Sequence, residues 1–335
     1  MNILILGGSR FLGYHLVKEA VNRGHEVTIF NRGISETQDL PNHVEILKGD
    51  RNGDLTPLKD RSWDIVIDTS GYIPRLVKNS AELLSQNTDL YVFISSISVY
   101  NDFSVPKISE DAPVLTLEDP TIEEVNGDTY GPLKALCENE VEKAFANRAL
   151  IIRPGLIVGP DDYTDRFTYW PRRISEGGEV LVPGDKPGSN VQFIDVRDLA
   201  TFTLMMAEGK KNGVYNVTGP TSALTFEEFM MECKKATASN ANFTWVSEEF
   251  LEEHQVGPWV ELPLYLPSKM NMAGMLDVDI TKAFEEGLSI RPLNETIQDT
   301  IEWDRQRLLK EDDRKAGLKK EKEQSLLNES KRSLA

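Results

Sequence analysis

"ILGGSRFLGY", residues 5–14, decides the fold. It closes an unbroken apolar run, Ile3-Leu4-Ile5-Leu6, with two glycines. Phe11, Leu12, His15, Leu16, Ala20 and Val21 then recur at helical spacing. An apolar run without alternation is the pattern of a strand buried on both faces of a parallel sheet. Strand, glycine turn and helix together make a candidate cradle for a dinucleotide pyrophosphate. Gly7 permits the sharp turn and Gly13 lets the helix pack close to the strand. The free N–H groups and partial positive charge of the helix N-terminus face the phosphates. Arg10 stands in the middle of this turn, where glycine is usual.

Downstream, the same alternation repeats. Gly24 is placed to end the first helix. Strands are expected at "HEVTIF" (25–30), "HVEILKGD" (43–50), "WDIVIDTSG" (63–71), "DLYVFISS" (89–96) and "ALIIRPG" (149–155), with helices from Pro74 to Gln86 and from Thr129 to Ala146. Regular strand–helix–strand order implies right-handed crossovers and an α/β Rossmann-type, doubly wound parallel sheet. After Gly159 the pattern changes. "VQFIDVRDLATFTLMMAEG" (191–209) reads as a short strand and a helix, and "GVYNVTG" (213–219) as another strand. The expected organisation is a dinucleotide-binding domain of residues 1–165 plus about 190–219. A smaller, irregular C-terminal substrate lobe covers about 166–189 and 220–310. Residues 311–335, dense in Lys, Glu and Ser, read as a solvated helix or disordered tail.

The chain of 335 residues has 37 basic and 54 acidic side chains, a formal net charge of −17. That balance opposes nucleic acid and anionic membranes as partners, but leaves room for a small anion at a local basic cluster. Two distant cysteines, Cys137 and Cys233, fit a reducing compartment. Four scattered histidines give no metal-ligand spacing, so no metal is expected. The N-terminus lacks the basic and long apolar regions of a signal peptide, and no segment approaches a membrane span; a cytoplasmic location is expected.

The second strand ends in Asn31-Arg32 rather than in the acidic residue that binds the ribose 2′-OH of NAD. A guanidinium can take a 2′-phosphate through two parallel hydrogen bonds. Arg32, with Arg10 reaching the same region, therefore points to NADP over NAD. Tyr130 and Lys134 in "TYGPLKALCE" (129–138) share one helix face. A phenol ionises near pH ~10, and a nearby ammonium lowers that value, so the pair suits general acid/base work. Ser95 and Ser96 end the fifth strand, where a parallel sheet presents its carboxyl ends to ligands.

These motifs resemble the extended, atypical short-chain dehydrogenases/reductases, the NAD(P)-dependent epimerase/dehydratase family. The resemblance rests on "GGSRFLG" (7–13), "GDRNG" (49–53), "ISSISVY" (94–100), "YGPLK" followed by Glu138, "RPGLIVGP" (153–160), "FIDVRDLA" (193–200) and "YNVTG" (215–219). It implies Tyr130 as acid/base, Lys134 as the cation that lowers its pKa and binds the nicotinamide ribose, and Ser96 as the holder of the reacting oxygen. The implied cofactor contacts are Gly7, Gly8, Ser9, Arg10, Phe11, Leu12 and Gly13 in the turn, and Asn31 and Arg32 after the second strand. They continue with Asp50 and Arg51 after the third strand, Thr69, Ser70 and Gly71 after the fourth, and Pro154 and Gly155 near the nicotinamide. Two departures stand out. Val191 occupies the place where sugar-nucleotide enzymes often carry an arginine for the diphosphate. Ile97-Ser98 follow Ser96, where dehydratases usually place Asp-Glu. Chloroplast RNA-binding relatives share the "GG-x-RFLG" turn, but the negative charge argues against that role.

The expected function is therefore an NAD(P)-dependent, NADP-preferring oxidoreductase or epimerase acting on a carbonyl or secondary alcohol, with a sugar or nucleotide sugar among the candidates. The alternative is a non-catalytic NADP sensor of the same fold. Arg166 lies best for an anionic substrate group, but a surface charge or a local salt bridge is the reading its residue type favours. Trp259 and Tyr265 either cover the pocket or pack the small lobe, and packing is the expectation. A homodimer is the assembly that the resemblance implies.

Overall fold

The computed structural model describes residues 1–34, 39–184 and 189–333; residues 185–188 of the expected substrate lobe and the last two residues of the tail lie outside them. The chain begins β1 (Asn2–Leu6), α1 (Phe11–Asn22), β2 (Glu26–Asn31), β3 (Glu45–Lys48), β4 (Trp63–Asp68), α2 (Pro74–Leu84), β5 (Thr88–Ile94), α3 (Tyr130–Phe145) and β6 (Ala149–Pro154). It continues β7 (Leu156–Val158), α4 (Tyr169–Ser175), β8 (Glu179–Pro183), β9 (Phe193–Asp195), α5 (Val196–Glu208) and β10 (Gly213–Val217). It ends α6 (Phe226–Ala236), β11 (Asn242–Val246), α7 (Glu248–Glu253), α8 (Thr281–Glu285), α9 (Leu293–Arg307) and α10 (Lys320–Ser333).

Seven strands form one sheet in the order β10-β6-β5-β4-β1-β2-β3, and every pair in it is parallel. The reason is visible in the side chains. Ile3 and Ile5 face α1 and α5, while Leu4 and Leu6 face α2 and α3. Val92 and Ile94 join the first face, Tyr91 and Phe93 the second. Period-two alternation with apolar residues on both faces gives the continuous apolar runs of the sequence. The strand order reverses beside β1, which opens a crevice at the carboxyl ends of β1, β4 and β5.

The small lobe has its own core, in which Phe167, Trp170, Phe193, Phe226 and Phe229 pack edge to face or tilted. The segment read as short and irregular holds two substantial helices. Thr225 and Glu228 form a reciprocal capping box that starts α6, and α9 runs for 15 residues. The tail, expected as a solvated helix or disordered, is helical over Lys320–Ser333 but packed rather than solvated. Helix α10 packs against β8. It buries Leu326 and Leu327, while Glu323 makes a buried 2.6 Å ion pair with Arg173. Among the described residues, no helix is long and apolar enough to cross a membrane, and no group of three or more His, Cys, Asp or Glu side chains is arranged to hold a metal ion.

Candidate functional site

The glycine turn answers the question posed by Arg10. Its backbone is extended, at φ −146° and ψ 148°, a conformation open to any residue, so this position needs no glycine. Gly13 is required for a different reason: a Cβ there would lie 2.7 Å from the amide nitrogen of Gly8. The first turn of α1 therefore presses directly on the loop and directs its free N–H groups at the crevice.

A cleft of about 550 Å³ runs from Gly7–Gly13 past Thr69, Ser70 and Tyr72 to Ser95, Ser96, Tyr130 and Lys134. Pro154, Gly155, Tyr163, Arg166 and Trp259 also line it. A second cavity of about 350 Å³ continues from Gly7, Ser9, Ser70 and Tyr72 to Asn31, Arg32, Asp50 and Arg51. The two together offer an elongated path along the sheet's rim. Polar atoms without partners border both parts: Ser95 Oγ in the first, and the Asn31 side-chain nitrogen in the second. Among the described residues no aspartate or glutamate lines the larger cleft. Helix N-terminal donors, unpartnered polar atoms and the absence of carboxylates suit a dinucleotide.

The predicted residues divide into those that face the cleft and those that hold its walls. Thr69 and Ser70 donate their hydroxyls to the Leu6 carbonyl, at 3.0 and 3.2 Å, which ties the end of β4 to β1. Gly71 lies behind the wall, where its carbonyl accepts from Lys134. Arg51 borders the second cavity, but its guanidinium makes a bidentate pair with Asp68 at 2.8 and 2.7 Å and a 2.6 Å bond to Ser80. Tyr91 adds a 2.8 Å bond to the same carboxylate. The Arg51 guanidinium beside it holds the fully buried Asp68 carboxyl below its usual value, against burial that pushes the other way. Arg51 is thus held as a buried support, although its Nε has no hydrogen-bond partner. Asp50 Oδ1 accepts from the Asn52 amide in its own tight turn.

The two arginines expected to converge do not. Arg10 lines the larger cleft, with its guanidinium 4.7 Å from the Tyr163 ring centre. Arg32 is exposed and borders the second cavity. Tyr163, held near the turn also by its edge contact with Phe11, captures Arg10 from the opposite wall.

Tyr130 opens α3, and Gly131 beside it packs so tightly on the Ser98 carbonyl that a Cβ has no room. That close approach brings Tyr130 to the segment after β5. The Ser96 side chain caps a short 3₁₀ turn by accepting from the Ser98 amide at 3.0 Å, and its hydroxyl faces the Tyr130 phenol. Burial pushes the phenol above its ordinary value, while Ser96 and the Arg166 guanidinium pull it back. Lys134 does not supply that pull. Its ammonium points beneath the helix, donating to the carbonyls of Gly71 (2.8 Å) and Ile94 (2.6 Å), and lies 4.2 Å from the Phe93 ring centre. Burial lowers it to about 8. The sequence spacing correctly puts the pair on one face, but two strand-end carbonyls claim the ammonium.

Two further aromatic residues complete the site. Tyr72 lies 6.3 Å from the Tyr130 ring and borders both cavities. Trp259 lines the cleft under Arg166, whose guanidinium stands 5.8 Å from its ring centre. This corrects the expectation that Trp259 only packs the lobe; Tyr265 is buried in the lobe core. Tyr72 carried no sequence signal beyond its place just after the fourth strand.

Several motif residues lie behind the cleft rather than in it. Arg153 makes a buried bidentate pair with Glu138, at 2.9 and 2.7 Å, and a 3.1 Å bond to Tyr100. Tyr100 in turn donates to Asn216 at 2.6 Å. One network therefore joins "ISSISVY", the helix carrying "YGPLK", "RPG" and "YNVTG". Val191 is buried.

Known proteins match this arrangement. The model of the NAD dependent epimerase/dehydratase family matches residues 3–218. The chain is 29% identical, over 70% of its length, to the chloroplast stem-loop binding protein of 41 kDa b of Arabidopsis thaliana, and covers 62% of that relative, less than two thirds of its length. It is 25% identical, over 90% of its length and 97% of the relative, to a UDP-N-acetyl-alpha-D-glucosaminuronate decarboxylase of Bacillus cytotoxicus. In fold it is similar to the UDP-glucuronic acid 4-epimerase of Bacillus cereus, solved with UDP-glucuronic acid and NAD, with a TM-score of 0.66 at 19% identity over 92% of this chain and 100% of that one. With the sheet order, the glycine turn and the cleft already described, the family match makes the chain a member of the NAD-dependent epimerase/dehydratase family, an extended short-chain dehydrogenase/reductase.

Proposed function

We propose that the protein is an NAD(P)-dependent oxidoreductase or epimerase acting on a carbonyl or secondary alcohol. The observation that carries this reading is the meeting of the Ser96 hydroxyl and the Tyr130 phenol in the cleft that begins at the glycine turn. A nicotinamide dinucleotide, when bound, supplies the hydride acceptor or donor. The chain's own residues handle the oxygen and its proton. Ser96 holds the substrate oxygen. As a phenolate Tyr130 takes the hydroxyl proton when the carbon is oxidised, and as a phenol it gives one when a carbonyl is reduced. Lys134 braces the strand ends beneath α3 through Gly71 and Ile94, with its third N–H available to a ribose hydroxyl. The α1 N-terminus and Arg10 take the pyrophosphate. Pro154 and Gly155 bound the nicotinamide end.

For the cofactor we infer NADP. No acidic residue ends β2, and Asn31 and the exposed Arg32 stand at the second cavity instead. The structural neighbours were solved with NAD, so the choice rests on these two side chains. A fluorescence titration of the purified protein with NADPH and with NADH tests it. Tighter NADPH binding that weakens in Arg32→Ala supports the assignment; equal or tighter NADH binding overturns it. Incubation with secondary alcohols, ketoses and nucleotide sugars then tests the reaction. An oxidoreductase changes nicotinamide absorbance stoichiometrically, an epimerase converts substrate without net change, and a non-catalytic sensor does neither. A homodimer is a further proposal, which sedimentation of the full chain at two concentrations tests.

A further inference from the structure

The chain is strongly acidic, yet among the described residues the three charged side chains on its main cleft are all cations: Arg10, Lys134 and Arg166. Two have evident tasks. Arg10 stands at the phosphate turn against Tyr163, and Lys134 is bonded to two backbone carbonyls. Arg166 is different. It lines the cleft that Tyr130 and Ser96 also line. Its charge is felt by the Tyr130 phenol. It rests on the Trp259 face and donates through Nε to the Thr164 hydroxyl at 3.2 Å. The carboxylate it influences is Asp162. One oxygen of that carboxylate is occupied by the Thr164 amide and hydroxyl, at 2.9 and 2.7 Å, and Asp162 does not line the cleft. Among the described residues Arg166 makes no ion pair, so the outer edge of its guanidinium remains for a ligand.

Resting on the functional reading above, we propose that Arg166, oriented by Trp259 and Thr164, binds an oxyanion of the substrate, a carboxylate or phosphate carried only a few atoms from the carbon that reacts. A guanidinium held on an aromatic face presents a planar fork that matches such a group in two hydrogen bonds. In a cleft free of carboxylates, that fork selects acidic substrates over neutral ones of the same shape. The charge sits beside the Tyr130–Ser96 pair, so it also fixes which hydroxyl faces the phenol. The reaction balances with Tyr130 as phenolate: the hydride leaves the carbinol carbon for the cofactor, and the hydroxyl proton goes to the Tyr130 oxygen, which has first given its own proton to solvent. The anion itself is unchanged.

The test is calorimetric titration of the NADP-saturated full chain with glucose, glucuronate, glucose 6-phosphate and UDP-glucose, repeated on Arg166→Leu and Arg166→Lys. The expected result is binding of glucuronate or glucose 6-phosphate but not glucose. Arg166→Leu should weaken it about 10- to 100-fold, the loss of a charge-assisted hydrogen bond, and Arg166→Lys should restore part of it. NADPH affinity should change less than about threefold in both variants. Whichever acidic probe binds tells carboxylate from phosphate. No binding of either, equal binding of glucose, or UDP-glucose binding that Arg166→Leu leaves intact would each overturn the proposal. Nicotinamide turnover with the same probes is read separately. A probe that depends on Arg166 for binding but is never oxidised counts against the catalytic reading, not against the anion site.

Discussion

The floor under the cleft and its rim use the same residue type in opposite ways. Below, Arg51 and Arg153 are locked in bidentate pairs with Asp68 and Glu138. At the rim, Arg10 and Arg166 rest on aromatic rings and make no ion pair among the described residues. A buried guanidinium needs a carboxylate partner, or its desolvation penalty exceeds anything the fold returns. A rim guanidinium keeps enough water to stand alone and is therefore free for a ligand. The comparison teaches that partnership, not residue identity, separates support from recognition here.

The largest effects should come from breaking the floor. Glu138→Ala or Asp68→Ala leaves a buried arginine uncompensated and should cost about 3–5 kcal/mol, read by urea denaturation. Arg10→Leu and Arg166→Leu should change stability by under about 1 kcal/mol in the same assay. If the floor and rim variants cost the same, the distinction fails. Next in size, Leu326→Ala in α10 should cost about 2–4 kcal/mol, since it opens a cavity in the small-lobe core. A value near zero would return the tail to the solvated segment that its composition suggests.

That tail marks the boundary of what the sequence discloses. Unbroken apolar runs and glycine punctuation made β1, β4, β5 and β6 readable, because burial on both faces leaves no other pattern. Ser96, Tyr130 and the turn were readable because each lies at a strand end or helix start. The packing of helix α10 was not, since its apolar side is little more than Leu326 and Leu327, and Glu323 is buried through Arg173, 150 residues away, and the Leu181 amide. The Thr225–Glu228 capping box could have announced α6. Lys134 misleads for a related reason. Helical spacing fixes the face but not the carbonyls of Gly71 and Ile94 that wait beneath it.

Smaller effects sharpen the contrast. Arg32→Glu should weaken NADPH binding about 10- to 100-fold, as a charge-assisted contact is replaced by repulsion, while NADH binding changes little. The pH dependence of the floor follows from Asp68, whose folded pKa lies below its unfolded value. Its contribution is fully present above about pH 4 and is lost as pH falls through the folded value. The stability gap between wild type and Asp68→Asn should therefore narrow as pH drops below about 4, and stay constant from pH 5 to 7. A gap that widens on acidification would show that the Arg51–Asp68 pair does not act as described.

The most direct test of the whole account is Tyr130→Phe, with NADPH affinity and turnover measured on the same preparation. The account predicts unchanged binding of the dinucleotide and a fall in kcat of about 10²- to 10⁴-fold, the usual contribution of a general acid/base. Turnover that survives the loss of the phenol would contradict it.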